Sequence, residues 1–158
     1  KMTGAASVHP SPFTILHSPI NFTMLFKFLA KYRDAGLLVM RLGLGAMFMM
    51  HGLPKLAGGP KMWMGLGKAM ANLGIDVWPT FWGFMAAATE GVGGLLLVIG
   101  IFYRPICLLL TITMIVAAST HLKAGDKFME KTSRPIELAF AFIGLAFAGP
   151  GRFSVDKD

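Results

Sequence analysis

The segment FMAAATEGVGGLLLVIG, residues 84–100, carries one carboxylate, Glu90, in a run that is otherwise uncharged and rich in glycine. A run of this apolarity is typical of a helix that crosses a bilayer, since about 20 such residues span the hydrocarbon. A carboxylate at this place is unfavourable unless it has a partner or carries a proton. The segment therefore predicts a membrane-spanning helix and makes Glu90 a candidate for an ion pair or a functional site.

The composition of the whole chain agrees with a membrane location. Of its 158 residues, 54% are hydrophobic and 15% are charged, and the mean hydropathy is +0.61. The net charge of +7 comes without a basic run interleaved with aromatic residues, so anionic lipid headgroups rather than nucleic acid are the expected partner. The single cysteine, Cys107, excludes an intrachain disulfide and a CxxC redox pair.

Four apolar stretches predict an all-α membrane protein, an antiparallel bundle of four transmembrane helices placed near 35–53, 78–102, 105–122 and 134–150. Residues 35–158 are the predicted transmembrane domain and residues 1–34 an N-terminal extension. Within the extension, NFTMLFKFLAKYRD (21–34) has the pattern of an amphipathic helix in the membrane interface. A soluble helix docked on a partner protein is the alternative.

The connections between the spans carry two further predictions. The 54–77 connection contains a helical pattern, so it is expected to lie on the membrane as a lid over the mouth of the bundle; a short surface helix without a role is the alternative. Basic residues divide evenly between the two sides of the bundle, which leaves the orientation undecided. Lys27, Lys31 and Arg33 beside the first span favour cytoplasmic termini.

Charged residues inside the predicted spans point to an ion pair. Helical phase places Arg41 and Glu90 on faces of the first and second spans that should pack together. A structural ion pair between Arg41 and Glu90, which would fix the register of the two helices, is therefore predicted, with a functional site as an equal alternative.

Histidines and carboxylates suggest a second polar group in the bundle. At a rise of ~1.5 Å per residue, His51 and His121 lie at one depth, and Glu137 enters from the opposite end to a similar level. The candidate quinone or proton site consists of His51, Glu90, His121 and Glu137, with Lys55, Arg104 and Lys123 at its rim. Histidines that only hydrogen-bond at the interface are the alternative. No HxxxH or ExxH spacing supports a metal site.

Four stretches resemble, in chain order, the DoxX family of small four-span bacterial membrane proteins: RLGLGAMFMMHGLPKLAGGP, EGVGGLLLVIGIFYRP, a third span ending HLKAGDKF, and PIELAFAFIGLAFAGPGRFSVD. The resemblance covers residues 35–156. It implies a four-helix bundle in a bacterial inner membrane, related to the small, DoxD-type subunit of thiosulfate:quinone oxidoreductase and to members that assemble with other redox proteins. The family's polar signature falls on Arg41, His51, Gly52, Lys55, Glu90, Gly94, Arg104, His121 and Glu137.

Two functions remain open at this point. The first is a subunit of a quinone-linked redox complex, in which His51 or His121 donates a hydrogen bond to the quinone and Glu90 or Glu137 relays protons. Its electrons would come from a partner subunit, since the sequence has no haem, flavin, iron–sulfur or metal motif and no self-contained catalytic motif. The second is a non-catalytic assembly or anchoring subunit of a larger membrane complex.

Overall fold

The structure, a computed structural model, describes residue 27 and residues 29–157, and these residues contain helices and no strand. Residues 1–32 and 33–158 form separate units, and in the first unit Lys27 and residues 29–31 are helical. The rest of the predicted interfacial helix before residue 29 lies outside the described residues. The second unit comprises α1 (Arg33–Ala57), α2 (Gly59–Gly67), a 3₁₀ helix (Lys68–Leu73), α3 (Pro79–Ile99), α4 (Tyr103–Lys123), a π-helical turn (Phe128–Thr132) and α5 (Ser133–Ala148).

Three of these helices are long and apolar enough to cross a membrane. They are α1, with 25 residues, and α3 and α4, with 21 residues each. The predicted all-α membrane fold is thus confirmed, with the first three predicted spans near their expected positions. The fourth helix, α5, has 16 residues and is shorter than the ~20 residues that cross the hydrocarbon, so a fourth crossing remains a prediction.

Helices α1 and α3 pack with their backbones in contact at glycine. A Cβ added to Gly52 would lie 2.1 Å from the backbone nitrogen of Gly91, and one added to Gly45 would lie 2.7 Å from the carbonyl oxygen of Gly94. Glycine permits this approach because it has no side chain. Residue numbers rise along α1 as they fall along α3, so the two helices are antiparallel and their register is set by these contacts.

Helix α2 continues the same packing along the first half of α3. A Cβ on Gly83 would lie 1.7 Å from the carbonyl oxygen of Trp63, and one on Gly67 would lie 1.6 Å from that of Pro79. The chain turns between α1 and α2 at Gly59, whose φ of +71° suits glycine. The helical pattern predicted in the 54–77 connection is thus confirmed, with α2 lying lengthwise against α3, and a lid on the membrane surface remains a prediction.

The second half of the chain adds α4 and α5 to this pair. Helix α4 packs on α5, and Phe48 of α1 meets Phe142 of α5 edge to face, with ring centroids 5.0 Å apart. The C-terminal tail returns to the start of α4, where Asp156 Oδ2 accepts a hydrogen bond from the backbone N–H of Tyr103 at 2.8 Å. This contact occupies one of the backbone donors that the first turn of a helix leaves without an intrahelical partner.

Candidate functional site

A cavity of about 620 Å³ lies between the α2 and 3₁₀ segment, α3 and α4. One stripe of α3, at helical spacing, lines it with Trp82, Met85, Ala86, Thr89 and Glu90. The facing stripe of α4 contributes Leu109, Ile112, Thr113, Val116, Ala117, Thr120 and His121. Residues 65–70 and Asn72 close one side, and Lys55 reaches in from α1. The lining is thus mainly apolar, with few charged groups.

Glu90 and Lys55 form an ion pair at this cavity. Lys55 Nζ lies 2.5 Å from Glu90 Oε2, with the Glu90 side chain 8% exposed and that of Lys55 34% exposed. Glu90 is about 16 Å from the start of α3 at Pro79 and about 14 Å from its end at Ile99. The pair therefore lies halfway along a candidate span, where a carboxylate needs a counter-charge.

Arg41 has different partners from those predicted. Its buried guanidinium donates to three backbone carbonyls, those of Leu97 at 3.1 Å, Val98 at 2.8 Å and Pro150 at 3.0 Å. The guanidinium carbon also lies 5.9 Å from the centroid of the Tyr103 ring. Arg41 thus satisfies carbonyls at the end of α3, which lack helical partners, and attaches the C-terminal tail to the bundle.

The predicted ion pair between Arg41 and Glu90 is accordingly wrong, and the helix register explains why. Gly52 lies against Gly91, so Lys55, one turn further along α1, is the residue that reaches Glu90. Arg41 is eleven residues before Gly52, about 16 Å away along the helix axis. Helical phase gave the faces that pack together but not this register, so the prediction paired Glu90 with the wrong cation.

His121 lies at the loop end of α4, where it lines the cavity and contacts Asp126. Its Nδ1 is 2.8 Å from Asp126 Oδ2, and Lys131 Nζ donates to Asp126 Oδ1 at 3.0 Å. The hydrogen bond with His121, and then that from Lys131, holds the pKa of Asp126 below its usual value. Asp126, missed in the sequence analysis, therefore connects the cavity-lining histidine to the loop after α4 as a carboxylate near neutral pH.

The structure leaves two of the four candidate site residues outside the cavity. Its lining includes Glu90 and His121, whereas His51 and Glu137 are exposed elsewhere on the surface. His51 and Glu137 therefore do not line the cavity with His121, because equal depth along a helix does not fix the direction of a side chain. Gly52 faces α3, and His51, one residue earlier, is turned about 100° around the helix.

The three predicted rim residues also separate. Lys55 lines the cavity and pairs there with Glu90. Lys123 is exposed at the end of α4 and is not part of the lining. Arg104 lies in the first turn of α4, about 26 Å along the helix from His121, and lines a different surface depression with Asp156 and Lys157. Arg104 is therefore at the opposite end of the bundle from the predicted rim.

Trp82 lines the cavity and was not among the predicted site residues. Its spacing from Met85, Ala86, Thr89 and Glu90 was the available signal, because these positions share one helical stripe. Within residues 29–157, no cluster of three His, Cys, Asp or Glu side chains is arranged to hold a metal ion. The cavity thus offers an apolar volume with an ion pair, a histidine and an indole around it.

Fold and site together define a small all-helical membrane protein with a partly polar cavity between its spans. A sequence model of the DoxX family matches residues 36–122, from α1 to the end of α4, which is more than half of the 158 residues. The chain belongs to the DoxX family, which confirms the resemblance noted in the sequence.

One relative in this comparison is the inner membrane protein YphA of Escherichia coli (strain K12). It is 29% identical to the chain over 132 residues, an alignment that covers 79% of this chain and 91% of that protein. No solved structure matches the chain.

Proposed function

We propose that the protein is an integral subunit of a quinone-linked membrane complex and that the cavity between α3 and α4 binds the quinone. The observation that supports this most is the combination of an apolar cavity of about 620 Å³ with Glu90, Lys55 and His121 in its lining. Sites for small cofactors are typically concave, about 300–1,000 Å³, largely apolar and supplied with a few polar groups. A quinone ring with an apolar tail has the matching chemistry.

The cavity is accessible from the side of the bundle that faces lipid. Ile112, Leu109 and Met85 line it, yet Ile112 is 56% exposed and the other two are also exposed. Because these lining residues also form part of the apolar outer surface, the cavity is expected to open between α3 and α4 towards the bilayer. A lipid-soluble quinone would enter by this route, with its head group inside and its tail in the membrane.

The chain's own residues supply hydrogen bonds and protons at opposite ends of the site. Lys55, held by Glu90, is a donor halfway along the span, and His121 is a donor or acceptor at the loop end. When bound, a quinone supplies an acceptor for two electrons and two protons. His121, in contact with Asp126 at the loop, is placed to pass protons from water to the cavity, while electrons come from a redox partner subunit.

The membrane arrangement that accompanies this function has four crossings. The π-helical turn Phe128–Thr132 runs directly into α5, and its 5 residues added to the 16 of α5 reach the length of about 20 that a span needs. An inner-membrane location follows the name of the relative from Escherichia coli. Cytoplasmic termini follow the basic residues beside α1.

Blocking the cavity tests the proposed function. Ala86→Phe and Ala117→Phe place a ring in the empty volume, whereas Ile115→Phe adds a ring to an exposed position of α4 outside the lining. We expect purified wild-type protein in lipid nanodiscs to bind a decyl-substituted benzoquinone and both blocked variants to bind at least about tenfold more weakly, a loss of about 1.4 kcal/mol. The melting temperatures of all variants are expected to stay close to that of wild type.

Ile115→Phe is the control for the two cavity-blocking variants, because it adds a ring outside the cavity lining. Ile115→Phe should bind the quinone as wild type does. Equal affinity in the blocked variants and in wild type would show that the cavity is not the binding site.

A non-catalytic anchoring subunit is the second candidate function. It is favoured by the outer stripe of α5, where Glu137 shares a helical face with Phe140 and Phe147, which are 70% and 87% exposed. A carboxylate on a lipid-facing stripe is unfavourable, so a partner protein would be expected to cover it. Under this alternative, the cavity-blocking substitutions leave the activity of the associated complex unchanged.

A further inference from the structure

Two polar side chains lie on the outer, apolar faces of the helices. His51 is exposed on α1 and Glu137 is exposed on α5. Among residues 29–157, neither forms a hydrogen bond or an ion pair. Their surroundings are apolar: Met47, one turn before His51, is 53% exposed, and Phe140, one turn after Glu137, is 70% exposed. Unpaired polar groups on a lipid-facing surface are unfavourable, so both side chains are expected to have a partner outside the chain.

The contact between α1 and α5 places the two side chains at nearly the same depth. Phe48 of α1 meets Phe142 of α5 edge to face. His51 follows Phe48 by three residues, about 4.5 Å towards the loop end, and Glu137 precedes Phe142 by five residues, about 7.5 Å in the same direction. The two depths therefore differ by about 3 Å, which the length of the side chains bridges.

Equal depth is the condition for a contact between two copies of this chain. Copies inserted in the same direction are related by a two-fold axis along the membrane normal, and rotation about this axis preserves depth. A residue of one copy thus meets only residues at its own depth in the other. His51 and Glu137 meet this condition and are complementary, because an imidazole N–H donates a hydrogen bond and a carboxylate accepts it.

The outer face of α5 also leaves room for a helix of a second copy. Gly144 lies two turns after Glu137 on the same stripe, and a Cβ added there would meet nothing within 4 Å. Packing within the described chain therefore does not require this glycine, in contrast to Gly52, whose added Cβ would lie 2.1 Å from the backbone of α3. A position without a side chain allows helices to approach closely.

We infer that the protein forms a symmetric dimer in the membrane through the outer faces of α1 and α5. Two identical contacts hold it, each between His51 of one copy and Glu137 of the other. A phospholipid does not satisfy both groups, since its phosphate accepts a hydrogen bond from His51 but repels Glu137. The inference does not depend on the proposed quinone site, which lies between α3 and α4.

Cross-linking between differently tagged chains tests this contact. Each chain carries Cys107→Ala and one new cysteine, and the chains are mixed in liposomes of phosphatidylethanolamine and phosphatidylglycerol. With His51→Cys in one chain and Glu137→Cys in the other, we expect a short bis-maleimide reagent to give a product that contains both tags. The control replaces Glu137→Cys with Ile115→Cys, which is exposed on α4, and should give no such product.

Exchanging the two side chains gives a second readout. Dimer dissociation constants are measured in liposomes by counting the photobleaching steps of singly labelled chains at increasing protein density. His51→Glu alone and Glu137→His alone are expected to weaken the dimer at least about thirtyfold, or about 2 kcal/mol for two contacts. The double variant restores complementary pairs and should dimerise as wild type does. Lys123→Leu, which removes an exposed charge elsewhere, should have no effect.

Three results would overturn the inference. The first is a wild-type protein that stays monomeric at every density. The second is a double exchange variant that is as weak as the single variants, or single variants that dimerise as wild type does. The third is a chain with both His51→Cys and Glu137→Cys that is cross-linked within itself while the mixed chains are not. Each variant is compared at a melting temperature close to that of wild type, so that a loss of dimer is not a loss of fold.

Discussion

Replacing Glu90 with glutamine is expected to lower the free energy of unfolding by about 3 kcal/mol, because it leaves the ammonium group of Lys55 without its counter-charge. The pair is close, with 2.5 Å between Nζ and Oε2, and the Glu90 side chain is 8% exposed. The burial of Glu90 leaves the pair less screened than an ion pair at a protein surface, while the Lys55 side chain is 34% exposed. Unfolding titrations with SDS in mixed micelles, followed by circular dichroism, measure the change.

A double substitution provides the control for this prediction. Lys55→Met together with Glu90→Gln removes both charges, and we expect it to recover most of the lost stability. Arg41→Gln together with Glu90→Gln should instead be additive, because these residues have separate partners. A Lys55→Met, Glu90→Gln protein as unstable as the sum of its single variants would show that the two charges do not interact.

Arg41→Met is the other substitution with a large expected effect, a loss of about 4 kcal/mol. Methionine fills part of the volume but provides no donor, so the carbonyls of Leu97, Val98 and Pro150 lose charge-assisted hydrogen bonds in a buried site. The same titration measures the loss, and limited proteolysis should show faster cleavage after residue 149 because the tail loses its contact at Pro150.

Arg33→Met is the matched control for Arg41→Met. Arg33 also donates to a backbone carbonyl, that of Ala148, but this contact is exposed. We therefore expect a change of no more than about 1 kcal/mol. An Arg41→Met protein as stable as Arg33→Met would contradict the structural role assigned to Arg41.

Apolar length was sufficient to predict the first three candidate spans from sequence, because unpaired backbone groups and charged side chains are costly in lipid and leave little freedom in where a helix lies. The first, second and third predicted spans correspond to α1, α3 and α4. Their ends moved by a few residues: α1 runs on to Ala57, beyond the predicted end at residue 53, since Pro54 is accommodated inside the helix.

Contacts between helices were much harder to predict, because they depend on register and rotation. The Lys55–Glu90 pair follows from the contact of Gly52 with Gly91, and the placement of α2 follows from Gly67 and Gly83. A glycine in the sequence indicates that another helix can pack closely at that position. It does not show which residue of that helix lies there. The same difficulty affected His51 and Glu137. Their depth along the helix could be estimated from sequence, but the direction of their side chains could not.

Two of the cavity residues, Glu90 and His121, were predicted from sequence because their residue types alone identify them. Glu90 and His121 are polar residues in or beside apolar spans, and such residues are candidate functional residues in any membrane protein. Trp82 and Asp126 are common residue types near a membrane surface, so their roles become visible only when α3, α4 and the following loop are seen together.

Photo-crosslinking tests most directly whether the cavity between α3 and α4 holds a quinone. An azido-substituted decyl-benzoquinone is irradiated with the protein in lipid nanodiscs, and the labelled residues are identified by peptide mass spectrometry. We expect adducts on residues that line the cavity, such as Met85 and His121, and their loss in the Ala86→Phe variant. Adducts confined to outer surfaces, such as Phe140 and Phe147 of α5, and unaffected by Ala86→Phe would contradict quinone binding in the cavity.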